Sequence, residues 1–167
     1  MPVLQIALDL MQLNRAVIIA HEAVDGGADW VEVGTPLIKS EGAEAVRTLR
    51  KEFPGKKIIA DTKTMDVGGV EVEIMAKAGA NIITVLGLSE DSTIEEAVMA
   101  GRKYGAEVMV DMINVPDKVK RSIEVALKQA QLMSSINLDV IPHYHTLNMM
   151  KVALDIKMKT KPMKLSL

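Results

Sequence analysis

No cysteine occurs in this chain of 167 residues, which excludes disulfides, zinc-thiolate centres and thiol catalysis and suits a cytoplasmic setting. Aromatic residues are nearly as scarce. Trp30, Phe53, Tyr104 and Tyr144 are the full set, too few for a base-stacking platform. Neither sign of charge dominates: Lys plus Arg number 20 against 22 Asp plus Glu, a net charge of -2, so no basic field exists for nucleic acid or an anionic membrane surface. No apolar run reaches membrane-spanning length, and the first residues show no basic, apolar and cleavage pattern of a secretory signal. Glycine is missing from the 62 residues after Gly105. With 49% hydrophobic residues the chain can bury one core, and a single domain over residues 1–167 is expected.

Short apolar runs alternate with helical patterns. Leu4-Gln5-Ile6-Ala7-Leu8-Asp9 reads as a first strand, with Gln5, Ala7 and Asp9 on one face. Asn14 is placed to cap the next helix, whose apolar positions are Val17, Ile18, Ala20 and Val24 before Gly26-Gly27 ends it. Trp30-Val31-Glu32-Val33-Gly34 is a second strand. Residues 41–53 form a second helix burying Ala45, Val46, Leu49 and Phe53. Residues 70–78 form a third helix, and residues 81–87 a strand apolar on both faces, as in a parallel sheet covered by helices. Thr93-Ile94-Glu95-Glu96 has the form of a capping box for a helix stopped by Gly105. Glu107-Val108-Met109-Val110-Asp111 is a fifth strand, and Pro116 at a helix N1 position opens a helix with Val119, Ile123, Ala126, Ala130 and Met133 inward.

Gly27, Gly55, Gly79 and Gly105 recur at intervals of 28, 24 and 26 residues, each followed by a strand. Such short alternating units imply βαβ crossovers and a parallel sheet of the α/β class. An open doubly wound sheet would carry a glycine-rich phosphate loop after its first strand, and Asp9-Leu10-Met11-Gln12 is no such loop. Acids at the ends of four strands instead favour a TIM-type (β/α)8 barrel, whose site gathers side chains from strand ends. Five βα units are clear. A sixth is marked only by residues 139–143, where Pro142 demands an edge or bulge, so the barrel is expected to be one or two units short. Residues 151–167, with five lysines against Asp155, read as a surface segment.

Chemistry concentrates in Lys57-Ile58-Ile59-Ala60-Asp61-Thr62-Lys63-Thr64-Met65-Asp66, a buried strand that turns abruptly charged. Alternation puts Asp61 and Lys63 on one face at its C-terminal end, with Asp66 just beyond. Together with Asp9, Glu32 and Asp111 these groups make a plausible hard-cation site. A metal against a hydroxy-ketone would acidify the neighbouring carbon, and an ammonium would stabilise the enediolate. The bland alternatives are loop caps at Asp9 and Asp111 and a structural bridge between Glu32 and Lys63.

From Leu4 to about Arg121 the chain resembles the 3-hexulose-6-phosphate synthases of the orotidine-monophosphate decarboxylase suprafamily. The resemblance is carried by residues 4–9, by Gly27-Ala28-Asp29-Trp30-Val31-Glu32-Val33-Gly34-Thr35-Pro36-Leu37-Ile38, and by the Asp-x-Lys-x-x-Asp signature Asp61, Lys63 and Asp66. Thr84-Val85-Leu86-Gly87 and Val110-Asp111-Met112-Ile113-Asn114 extend it. It implies a magnesium-dependent aldol condensation of formaldehyde with D-ribulose 5-phosphate, and its reverse, with Mg2+ on Glu32 and Asp61. Lys63 would stabilise the enediolate, Asp9 would orient substrate hydroxyls and Asp111 would position substrate on the opposite wall. A homodimer is implied, with Asp66 offered to the partner's site. A histidine near the end of strand six handles the proton in the family, and His143 and His145 both stand there. Residues 122–167 depart from the pattern, and no substrate-phosphate ligand can be assigned. The enzymatic alternative is 3-keto-L-gulonate-6-phosphate decarboxylase, which usually has glutamate where Asp111 stands; the other alternative is a non-catalytic, truncated or altered relative.

Overall fold

The computed structural model describes residues 3–132, with side chains through Gln129. Its elements are β1 (Gln5–Leu8), α1 (Leu13–Asp25), β2 (Trp30–Val33), α2 (Thr35–Glu41), α3 (Ala43–Glu52), β3 (Lys57–Thr64), α4 (Gly68–Ala78), β4 (Ile82–Leu86), α5 (Asp91–Tyr104), β5 (Glu107–Asp111) and α6 (Lys118–Leu132). The strands form one parallel sheet in the order β1-β2-β3-β4-β5. That order decides between the two architectures left by the sequence. A doubly wound sheet reverses direction at a switch point, whereas here every crossover advances one strand the same way, as in a TIM-type barrel. Right-handed crossovers of this kind put all the helices on one face. The sixth strand expected at 139–143 lies outside the described residues.

Strand register sorts the side chains. Leu8, Val33, Ala60 and Val85 face the helices and join Ala20, Leu37, Leu49, Ile94 and Ala97 in the main core. The opposite face is layered along the strands. At its base Lys57 pairs with Glu107 at 2.8 Å, its Nζ 5.2 Å from the Trp30 ring centroid. Ile59, Ile82 and Met109 make an apolar middle layer. Above them, at the C-terminal ends, stand Glu32, Asp61, Thr84 and Asp111, all buried. On the outside, Arg50 laces three segments together: Nε donates to the Gly79 carbonyl at 2.8 Å and Nη1 to that of Lys56 at 2.9 Å, while Nη2 donates to Asn81 Oδ1.

Several local expectations are corrected. Asn14 lies inside α1, and the cap position is Gln12, without a side-chain cap bond. Ile18 faces solvent, and Ala16 and Ala20 take the buried positions. The helix expected over 41–53 is α3, but an unexpected helix, α2, precedes it, and Gly42 at φ 65 turns the chain between the two. Thr93 opens no capping box: α5 starts after Glu90, and Thr93 is buried where α4 crosses α5. A β-carbon at Gly68 would meet the Thr93 carbonyl oxygen at 2.2 Å, so glycine sets this close crossing. Pro116 precedes α6 rather than starting it. Asp117 is the cap, its Oδ1 accepting the Lys120 N–H at 3.0 Å. The inward stripe of α6 is also rotated: Val119 and Ile123 are exposed, while Val125 and Gln129 are buried. The side chains of Ala130 and Met133 lie outside the described residues.

Candidate active site

β3 brings the site together through an irregularity. Ala60 pairs with Ile83 on β4, but the next pair is Thr64 with Val85, so β3 accommodates two extra residues against β4. Within this bulge Lys63 adopts φ 49, a left-handed conformation uncommon for a residue with a β-carbon. Its Nζ lies 2.9 Å from Asp61 Oδ2 and 3.0 Å from Asp111 Oδ2, crossing above β4. Burial alone would lower the Lys63 pKa, but hydrogen bonding and charge from Asp61, then from Asp111, outweigh it, and the net shift is upward. At neutral pH this side chain is therefore an ammonium, suited to stabilising negative charge and not to abstracting a proton.

Asp61 is held on both oxygens. Thr84 Oγ1 donates to Oδ1 at 2.8 Å, and Thr35 Oγ1 lies 2.9 Å from Oδ2 and 2.7 Å from the Asp61 carbonyl oxygen. Asp111 divides its roles: Oδ1 accepts the Ile113 N–H at 2.9 Å, shaping the following loop, while Oδ2 faces Lys63. Asp111 thus caps the loop that follows β5 and at the same time pairs with Lys63. Glu32, also buried, accepts from Gln5 Nε2. Asp9 is exposed just past β1 and lines a cavity of about 350 Å³ with Thr35, Pro36, Asp61, Lys63 and Ile113. Gly34 lies buried against Leu8 and Asp9. Asp66 takes no part in the Lys63 pairings; exposed, it accepts the Val67 N–H at 2.7 Å. His143 and His145 lie outside the described residues.

Among the described residues no three His, Asp or Glu side chains converge as a metal-ligand set. The donor chemistry nonetheless fits a hard cation. Glu32 and Asp61 are carboxylates on neighbouring strands of one face, and Gln5 keeps a buried amide oxygen with no hydrogen-bond partner among the described residues. Magnesium takes one or two carboxylates and completes its shell with water and substrate oxygens.

A family model described as orotidine 5'-phosphate decarboxylase / HUMPS family matches residues 2–139. The chain belongs to that family. It is 44% identical over 122 residues to a 3-hexulose-6-phosphate synthase of Bacillus subtilis, covering 73% of this chain and 58% of the relative. A crystal structure of a 3-hexulose-6-phosphate synthase superposes with a TM-score of 0.73 at 42% identity, over 75% of this chain and 60% of that one. A 3-keto-L-gulonate-6-phosphate decarboxylase from Vibrio cholerae gives 0.69 at 28% identity, over 80% and 66%. The chain thus spans less than two thirds of the length of the synthases it matches.

Sequence reasoning missed two hydroxyls of this family member. Thr84 sat in a strand read as wholly apolar, and its lone hydroxyl within Ile82-Ile83-Thr84-Val85-Leu86 was the available signal. Thr35 opens a helix, α2, that periodicity did not reveal, although Pro36 at its start is an ordinary helix-opening residue.

Proposed function

We propose that the chain is an aldehyde-lyase of the 3-hexulose-6-phosphate synthase type, condensing formaldehyde with D-ribulose 5-phosphate and running the reverse cleavage. The observation that carries this reading is the Lys63 ammonium held between Asp61 and Asp111 beside the cavity lined by Asp9. An enediolate formed from a hydroxy-ketone needs fixed positive charge where its oxygens gain electron density, and a preorganised ammonium provides it with little rearrangement. Asp9 orients substrate hydroxyls from the cavity wall, and Asp111 positions substrate opposite while fixing Lys63. Glu32 and Asp61 would hold magnesium, which when bound would supply Lewis-acid polarisation of a ketone and so acidify the carbon beside it. The proton is handled by His143 or its neighbour His145.

The enzyme works as a cytoplasmic homodimer in this reading, with Asp66 reaching the partner's site. Its exposure supports this, as does an apolar surround: Met65, Val67, Val70 and Ile74 are each 45–57% exposed on the same loop and on α4. A second copy covering these side chains would remove them from water.

Formaldehyde consumption with ribulose 5-phosphate and magnesium, compared between the intact chain and Asp61→Ala, tests the proposal. Turnover that needs magnesium and falls roughly 100-fold or more in the variant is the expected result. A folded, magnesium-binding chain without turnover would overturn it in favour of a non-catalytic relative. Decarboxylation of 3-keto-L-gulonate 6-phosphate in place of condensation would favour the second enzyme that resembles it in structure.

A further inference from the structure

Thr84 is 1% exposed and carries one hydroxyl with two polar neighbours of opposite need. It accepts the backbone N–H of Lys63 at 3.0 Å and donates its own hydrogen to Asp61 Oδ1 at 2.8 Å. Its carbonyl oxygen accepts from Thr62 Oγ1 at 2.7 Å. Three consecutive positions of the bulge, 61 to 63, therefore tie to this one residue of β4. The regular ladder between β3 and β4 lapses after Ala60 and Ile83, so the Lys63 N–H has lost its usual strand partner where the backbone turns left-handed. A hydroxyl on β4 answers that need, and a methyl in its place would leave a part-buried N–H unpaired.

We propose that Thr84 is a positioning residue for the reaction: its hydroxyl holds the left-handed turn at Lys63 and sets the rotation of the Asp61 carboxylate, aligning ammonium and carboxylate. The proposal rests on the synthase-type reading for its catalytic consequence but not for its structural one. Thr35 holds Asp61 from the other side but makes no bond to the Lys63 backbone, so it cannot replace the coupling. Serine keeps the hydroxyl; valine keeps the shape and discards it.

Amide hydrogen exchange at Lys63, followed by NMR on the whole chain, separates the structural claim from the function. In the wild type and in Thr84→Ser the Lys63 amide is expected to be protected. In Thr84→Val it is expected to exchange about tenfold faster, as loss of one ordinary hydrogen bond allows, with the amides of Ile83 and Val85 unchanged. An unprotected Lys63 amide in the wild type, or protection retained in Thr84→Val, overturns the proposal; should the valine variant not fold, the wild-type and serine measurements still decide it. With formaldehyde and ribulose 5-phosphate, Thr84→Val is expected to lower kcat about tenfold or more at nearly unchanged KM, and Thr84→Ser to restore it. A kcat unaltered by valine overturns the positioning role. A wild type that exchanges as described but never turns over sinks the synthase reading alone.

Discussion

Gly34 and Asp9 pass each other with no room for a side chain: a β-carbon at position 34 would come 2.3 Å from Asp9 Oδ1 and 2.7 Å from the Leu8 carbonyl oxygen. Backbone atoms cannot step aside as a flexible side chain can. Gly34→Ala should therefore displace Asp9 from the cavity and lower stability by roughly 1–3 kcal/mol, read as a reduced urea midpoint. Substrate KM should rise more than kcat falls if Asp9 orients hydroxyls.

Asp91 ties the start of α5 to α6 through Arg121 Nη1 at 2.6 Å and through Lys128. Its carboxyl is held below the ordinary value of 3.8, chiefly by the Lys128 hydrogen bond, with Arg121 adding to it against the opposing effect of burial. A depressed folded-state value means the stabilisation is complete above the unfolded value and fades as pH falls through the folded one. Urea midpoints from pH 7 to pH 2 should show the gap between wild type and Asp91→Asn closing below about pH 4. A gap that stays constant down to pH 2 would contradict the assignment.

Arg50 should matter to the fold and not to the chemistry. Arg50→Ala strips donors from the Gly79 and Lys56 carbonyls and from Asn81, whose Oδ1 also receives the Ile58 N–H at 2.9 Å. A loss of about 1–3 kcal/mol is expected from groups left unpaired, measured by denaturant titration. Activity per folded molecule should be unchanged.

If Asp66 serves the partner's site, Lys63→Ala and Asp66→Ala should each be inactive alone yet complement when mixed. One of the two sites in each mixed dimer then keeps both residues, and an equal mixture should recover about a quarter of wild-type activity. Recovery near zero after proven subunit exchange would place Asp66 outside the shared site.

The gathering of Asp61, Lys63 and Asp111 at one end of the sheet was legible because each acid closes an otherwise apolar strand, and strand ends of parallel α/β folds converge; that Asp111 pairs with Lys63 was not. Thr84 was not, since a hydroxyl in an apolar strand says nothing of its partners until register places it beside a bulge. The bulge itself, with Lys63 at φ 49, breaks the alternation on which strand reading depends. On α6, Val119 and Ile123 share the helical period with Val125 and Gln129, and periodicity identifies two stripes without saying which meets the sheet. In the fold it is the stripe containing a polar Gln129 that turns inward.

The strictly sequential strand order has a consequence for how the protein is made. As the chain leaves the ribosome, each strand finds its neighbour already in place, so β1 to β4 can pair in turn from nearby contacts. Lys63 is the exception, because its second carboxylate arrives 48 residues later, on β5. Until then a positive charge rests against Asp61 alone, at the rim of an unfinished sheet. A nascent chain halted between β4 and β5 would hold four paired strands and a lysine waiting for Asp111.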